Sequence, residues 1–409
     1  PAAPAGPAGA ITLREALAAA RRANPDLAAA RLRVDSAGAE RRTARALPDP
    51  TASVVPNVPT QLQLTEPLDV TPVRWFRTRA ARLGQDAARW DAADADRQVA
   101  FAVRQAFYDA LLAQALRDVA ATRRDALRQL LAADSARLRA GDVPERAVAR
   151  SELELARADA ALARAAVDVH AARLTLGQTV GLARPDTGLA AAGVLAFRPV
   201  DVDTAGLTPA AVRDARADVR GAAVRVGQAR AGLATARAAL LPTPALTYVA
   251  ERHQAFDNGR FYQFGVGFQL PFGSLFSGDR RRARDGVAEA QVLADRAEHQ
   301  AAADVAGALD QYRASRALAE RYAGGLLAKA DAGVETARYA YRAGAASQLE
   351  VLDALRTAAD TRADYLQAVH DYWVGVFALE RAAGRDLAGA SADDVPAAPL
   401  LPPPARPDP

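Results

Sequence analysis

Over most of its length the chain keeps a helical spacing of apolar positions, but between Pro242 and Gly273 the period changes to two. Two runs there, Pro244–Gln254 and Arg260–Leu270, alternate apolar and polar residues and are joined at Asp257-Asn258-Gly259. In the second run Tyr262, Phe264, Val266, Phe268 and Leu270 fall on one face, while Gln263, Gly265, Gly267 and Gln269 fall on the other. Successive side chains of a strand point to opposite faces, so the pattern predicts a strand, and Asn-Gly between two such runs predicts a hairpin turn. A strand of about 11 residues crosses a bilayer at the usual tilt. Aromatic residues outward and polar ones inward match a membrane barrel better than a soluble core. Two shorter extended runs, Thr51–Val58 and Gln61–Leu68, interrupted by Pro56 and Pro59, predict another hairpin at about 51–68.

Helices account for the rest. Thr12-Leu-Arg-Glu15 reads as a capping box, in which hydroxyl and carboxylate satisfy free N–H groups at a helix start. That helix runs to about Ala46, where Pro48-Asp49-Pro50 stops it. A very long helix over 73–140 ends at Gly141, Asp142-Val-Pro144-Glu145 starts the next over 144–181, and residues 182–206 form an irregular link. The second half repeats this order. Thr208-Pro209 caps a helix that stops at Pro242, a hairpin follows at about 243–272, and a second very long helix spans 277–343. Gly344 breaks that helix, and the capping box Ser347-Gln-Leu-Glu350 opens the last, over 347–383. The leader 1–10 and the Pro-rich tail 388–409 are expected to be disordered. Asp26-Leu27 recurs as Asp218-Val219, Pro48-Asp-Pro50 as Pro242-Thr-Pro244, and Arg139-Ala-Gly141 as Arg342-Ala-Gly344. The chain therefore reads as a tandem duplication, with repeats 11–206 and 207–387.

Each long helix would measure roughly 100 Å at about 1.5 Å per residue, and in each half the two shorter helices stacked end to end would match it. The first long helix carries two seams, Val99-Val103-Ala106-Ala110-Ala113 and Phe101-Tyr108-Leu112-Ala115-Val119. A helix with two seams touches two neighbours, as in a wall of helices rather than a solitary coiled coil.

Composition narrows the class. Half of the 409 residues are hydrophobic but only 6% are aromatic, which suits thin, closely packed helices over a broad globular core. Lys plus Arg number 52 against 48 Asp plus Glu, a net charge of only +4, and the two signs alternate along the helices. That balance describes a solvated face and speaks against nucleic acid as a partner. Cysteine is absent, so no disulfide, thiolate metal site or lipidated N-terminal cysteine is expected. Because the chain begins at Pro1 and lacks methionine, a removed signal peptide is expected. No run of 18 apolar residues occurs, so membrane contact would have to come through strands. His170, His253, His299 and His370 have no second ligand at i+3 or i+4, so no metal site is expected. Gly265-Val-Gly267 lies inside a strand and opens no nucleotide loop. Neither a catalytic site nor a cofactor is indicated.

Two features suggest function. Glu350 and Asp353, spaced i,i+3, share one helical face near its N-terminus. Glu350 is accounted for by its capping box; alternatively, symmetry would gather both acids into a ring around a pore, where mutual repulsion raises their pKa values and favours cations. Aromatics also sit beside basic residues at both strand-to-helix junctions: Trp75 and Phe76 within Arg74–Arg79, and Phe272 and Phe276 ahead of Arg280 and Arg281. Rings at headgroup level with Arg at the phosphates fit a membrane interface.

With these residues in order, the chain resembles the TolC-type outer-membrane efflux proteins over roughly 11–384. The likeness rests on the duplication, the Pro-x-Pro stops before each hairpin, Leu270-Pro271 leading into Gly278 and the Arg cluster, and the Arg-x-Gly turns at 139–141 and 342–344. The resemblance implies a mainly α fold with a small membrane β part. Three copies give four strands each to a 12-stranded barrel above a periplasmic barrel of long antiparallel helices. It implies an outer-membrane location extending into the periplasm, a periplasmic adaptor docked at the turns of Arg139, Gly141, Arg342 and Gly344, and an inner-membrane pump of the resistance-nodulation-division type. Acids at the positions of Glu350 and Asp353 match the family's gate, whereas the first tip has Ala147 and Arg150 there. Arg150 could pair with the acids in a closed state, or could weaken the ring. The short, proline-broken first hairpin also departs from the pattern. The function implied is passive conduction of exported drugs or metal ions. A type I protein-secretion duct and a soluble periplasmic coiled-coil scaffold are the alternatives.

Overall fold

The computed structural model describes residues 10–56, 60–182, 189–200, 202–204, 206–252, 260–270 and 278–388. Residues 1–9 of the expected leader and 389–409 of the expected tail, the Asp257-Asn258-Gly259 turn, and Phe272 and Phe276 lie outside the described residues, whereas Ala10 and Ala388, expected to be disordered, are ordered, the first paired in a strand and the second buried. Elements follow in the order β1 (Ala10–Ile11), α1 (Leu13–Ala23), α2 (Pro25–Arg45), β2 (Thr51–Val55), β3 (Thr60–Pro67), α3 (Val73–Arg139) and α4 (Glu145–Val180). Then come β4 (Ala190–Ala191), α5 (Pro209–Ala215), α6 (Ala217–Ala238), β5 (Thr243–Arg252), β6 (Arg260–Gln269), α7 (Asp279–Arg321), α8 (Leu327–Arg342) and α9 (Gln348–Ala383). No described helix is long and apolar enough to cross a membrane.

Both capping boxes form, Thr12 with Glu15 and Ser347 with Glu350. Three helices expected to be continuous are broken. The helix over 12–46 parts at Asn24-Pro25, because the residue before a proline is driven to extended backbone and Asn24 has ψ 126°. Asn24 then caps the new start, its Oδ1 accepting from the N–H groups of Asp26 at 2.9 Å and Leu27 at 3.3 Å. The helix over 208–240 parts at the matching place, Arg216, with ψ 122° and no proline to force it. The long helix over 277–343 is interrupted by a π turn, Tyr322–Leu326, in which Gly325 takes φ 125°. By contrast α3 runs unbroken for 67 residues.

The contacts divide the chain into two compact units that do not follow the two halves of the sequence. One gathers 1–28, 95–215 and 302–409; the other gathers 29–94 and 216–301. In the first unit the core is aromatic. Tyr108 of α3 packs against Trp373 and Phe377 of α9 at centroid distances of 5.6 and 5.4 Å, and Tyr312 of α7 meets Tyr372 at 6.0 Å. Burying such a side chain contributes about 1.5–3 kcal/mol, and each polar tip finds a partner. Those partners lie in the link after α4: Tyr372 Oη accepts from Val200 N–H at 2.9 Å, and Trp373 Nε1 donates to the Ala196 carbonyl at 3.1 Å.

The α4 and α9 C-caps are glycines in left-handed backbone, Gly181 at φ 89° and Gly384 at φ 73°. Each is pressed on the break of another helix. A Cβ on Gly181 would lie 2.6 Å from the Ala23 carbonyl oxygen, and one on Gly384 would lie 2.9 Å from the Ala215 carbonyl carbon. Only glycine meets both demands.

In the second unit β2-β3-β5-β6 form one antiparallel sheet in that order. The register sets Leu62 opposite Ala250 and Ala250 opposite Tyr262; Leu64 opposite Tyr248 and Tyr248 opposite Phe264; and Leu246 opposite Val266. Directly opposed residues share a face. The helices α6 and α7 pack through a small-residue seam of Ala222, Val226 and Ala294.

Candidate functional site

At the two tips, sequence and backbone agree closely. After α3, Gly141 N–H donates to the Leu138 carbonyl at 3.0 Å and Asp142 N–H to the Arg137 carbonyl at 2.9 Å. After α8, Gly344 N–H donates to the Tyr341 carbonyl at 3.1 Å and Ala345 N–H to the Ala340 carbonyl at 2.8 Å. Both are Schellman turns, which satisfy the free carbonyls at a helix end and need left-handed backbone at the glycine; the φ values are 82° and 75°. Arg139, Gly141, Arg342 and Gly344 are all exposed.

Glu350 and Asp353 are exposed on consecutive turns of α9. Glu350 Oε1 accepts from Ser347 N–H at 3.1 Å and Ser347 Oγ at 2.9 Å. The backbone bond, then the hydroxyl bond, holds the Glu350 carboxyl below the usual carboxylate range. This is the opposite direction from the rise expected of crowded acids, because within one protomer the cap alone sets it. Arg150 is exposed on α4, and no ion pair joins it to Glu350 or Asp353 among the described residues.

What joins the tips is a second set of residues, Asp134, Ser151, Tyr341 and Gln348, none of them among the expected site residues. Asp134 of α3 and Ser151 of α4 are fully buried. The Asp134 carboxylate accepts from Tyr341 Oη of α8, from Ser151 Oγ at 2.5 Å and from Gln348 Nε2 of α9 at 2.7 Å. Gln348 Nε2 also reaches the Ala147 carbonyl at 2.8 Å. A buried carboxylate is costly unless charge-assisted hydrogen bonds replace its water, and here three donors do so. Burial, then the bond to Asp134, pushes the Tyr341 hydroxyl up to about 12. Below the node the same four helices share an apolar core that includes Leu127, Leu130, Ala158, Val334, Val351 and Leu355. A signal was available: Leu127, Leu130 and Asp134 stand at i, i+3 and i+7, so the acid sits on an apolar stripe.

Farther along α9, buried His370 lies 2.7 Å from Asp109 of α3 and 3.0 Å from Asp371. Burial pulls its pKa down, but the two carboxylates outweigh that and raise it. No group of three or more metal-binding side chains occurs among the described residues.

On the sheet, Tyr262, Phe264, Val266 and Phe268 stand exposed on one face of β6, Phe264 by 76%. The register adds Val54, Leu62, Leu64 and Leu246 to that face, all exposed as well. Leu270, just past the end of β6, is exposed too. Gln61, Gln63, Thr65, Thr247, Glu251 and Gln263 take the opposite face, where Gln61 Nε2 donates to Glu251 at 2.8 Å. At the first junction Trp75 is exposed and meets Phe76 edge-on at 4.8 Å. Arg280 and Arg281 are exposed at the start of α7.

Such a chain, long helices with a two-faced sheet of four strands, has the architecture of an outer-membrane efflux channel. Residues 209–385 match the model of the outer membrane efflux protein family, and the chain is similar to that family there. Its relatives include the cobalt-zinc-cadmium resistance protein CzcC of Cupriavidus metallidurans, 26% identical over 92% of this chain and 91% of that protein. Among solved structures, the Campylobacter jejuni CmeC outer membrane channel superposes with a TM-score of 0.79 at 16% identity, covering 92% of this chain and 86% of that one. The outer membrane protein VceC of Vibrio cholerae gives 0.74 at 18% identity, with coverages of 91% and 96%.

Proposed function

We propose that the protein is the outer-membrane exit duct of a tripartite efflux system, conducting solutes passively from periplasm to exterior as a homotrimer. One observation carries this reading. The sheet exposes an apolar face and ends at two outer edges, β2 and β6, that pair with nothing among the described residues. In hydrocarbon every backbone N–H and C=O must be paired, so four strands can sit in a bilayer only when other copies close the ring. Three copies, as the family resemblance implies, make 12 strands. The recurrence of the helix breaks at Asn24 and Arg216 and of the glycine seats at Gly181 and Gly384 supports a tandem duplication. In this reading the Gly141 and Gly344 tips receive a periplasmic adaptor, which couples the duct to a resistance-nodulation-division pump. The CzcC relative makes divalent metal ions the first cargo to test.

The chain contains no cysteine, so engineered ones report cleanly. Cysteine pairs, one on β2 and one on β6 of the same chain, are expected to crosslink between copies and to yield a trimer on a denaturing gel. Crosslinks confined to one copy would sink the closed-ring reading. In planar bilayers, E350A/D353A is expected to raise single-channel conductance and to abolish block by divalent cations; unchanged block would remove both acids from the gate.

A further inference from the structure

Where the sheet gives way to helices, the second unit holds a pocket of about 780 Å³ between the end of α2 and the start of α3. Five arginines line it, Arg41, Arg45, Arg74, Arg79 and Arg82, together with Trp75. The two lining carboxylates are already engaged, Asp69 by Arg74 at 2.8 Å and Asp86 by Arg89 at 2.8 Å. Arg41 donates to Gln85 at 3.2 Å, and Arg79 lies 5.4 Å from the Trp75 ring centroid. That leaves four guanidiniums, those of Arg41, Arg45, Arg79 and Arg82, lining one cavity with no ion pair of their own among the described residues. The wall itself is fixed: Arg77 donates to the Ala44 and Ala46 carbonyls, each at 3.0 Å, and Thr78 Oγ1 to Ala44, also at 3.0 Å. These bonds satisfy the end of α2 and clamp the start of α3 against it.

We infer that this pocket binds the phosphate of an anionic phospholipid headgroup. Clustered guanidiniums match phosphate oxygens in charge and fork geometry. The first turn of α3 holds no acid, so its free N–H groups add to the same field. The surroundings favour a lipid over a free ion. Val70, between the lining residues Asp69 and Thr71, is 74% exposed, and Trp75 is 58% exposed, so an apolar rim borders the basic pocket. The pocket also begins immediately after β3, where an apolar sheet face seated in hydrocarbon would meet the headgroups. This inference rests on the membrane placement of the sheet proposed above.

The test uses the full chain in detergent micelles, offered equal amounts of phosphatidylglycerol and phosphatidylcholine, with bound lipid counted by native mass spectrometry. Both lipids carry the phosphate, but only the first has net negative charge. Phosphatidylglycerol is expected to be retained about 25-fold over phosphatidylcholine, and R45Q/R82Q to bring the two level, at about fivefold per arginine. R280Q/R281Q, at the other junction, is expected to leave the preference intact. Equal loss in both variants, or no preference in the unmodified chain, would overturn the inference. Complete displacement by millimolar inorganic phosphate would reassign the pocket to a free anion and overturn the lipid assignment. Membrane insertion is read separately from conductance in planar bilayers, so a channel that conducts without lipid preference loses this inference alone, whereas one that never inserts loses the duct.

Discussion

The two tip turns share a backbone and differ in chemistry. Gly141 and Gly344 close the same Schellman turn with φ values within a few degrees. Yet α4 starts from Pro144 with no side-chain cap, while α9 starts from a complete capping box. The polar node is divided between the halves. At the offset that aligns Arg139 with Arg342, Asp134 and Ser151 correspond to Ala337 and Ala354, and Tyr341 and Gln348 correspond to Leu138 and Glu145. The first half supplies the carboxylate and a hydroxyl, and the second supplies a phenol and an amide. The two matching turns thus carry complementary rather than identical side chains, and the bonds between them hold both turns to one core.

The largest effect is expected from D134A, which strips the acceptor from Tyr341, Ser151 and Gln348 at once. Opening free energies of amides around the node, read by hydrogen exchange, should fall by about 3–5 kcal/mol, against about 1 kcal/mol for Y341F. Equal losses would show that the carboxylate is no hub. Next come G141A and G344A. A Cβ at either glycine would meet nothing within 4 Å, so only the left-handed backbone resists it. Both should cost about 1–2 kcal/mol, and a marked inequality would mean that the turns differ in backbone after all. Smallest is a pH effect confined to the second tip. The folded-state pKa of Glu350 is lowered, so its contribution is present above the ordinary carboxylate range and is lost as pH falls through the folded value. Protection of the first α9 amides should therefore decline in acid while the uncapped α4 start shows no matching step. Matching declines at both would detach the effect from the cap.

Much of this architecture was legible because it is local. Alternation around Phe264, the hydroxyl-to-carboxylate spacing of both capping boxes and the Arg-Ala-Gly turns are all short-range patterns, and the structure keeps them. The helix breaks were harder for differing reasons. Pro25 was visible, but proline is tolerated in a first turn and the Ala-rich spacing ran through it. Arg216 has no local marker; Gly384 seats against the residue before it from far along the chain. The polar node was hidden by distance, since Asp134 and Gln348 are 214 positions apart and the apolar stripe beneath Asp134 does not name its partners. The acids and Arg150 at the tips were found as residues, but the bonds that hold the tips lie elsewhere.

The π turn at Tyr322–Leu326 has a consequence for the rod it interrupts. On the α7 side the buried positions Val305, Tyr312 and Ala319 tick off in sevens; on the α8 side Val334 and Tyr341 do the same, but one place out of step. A strict count from Ala319 would land on Gly333. A π turn takes in one residue more than an ordinary turn, so Gly324-Gly325 acts as a leap day in the calendar of the helix, letting two incompatible rhythms each keep their own seam dry.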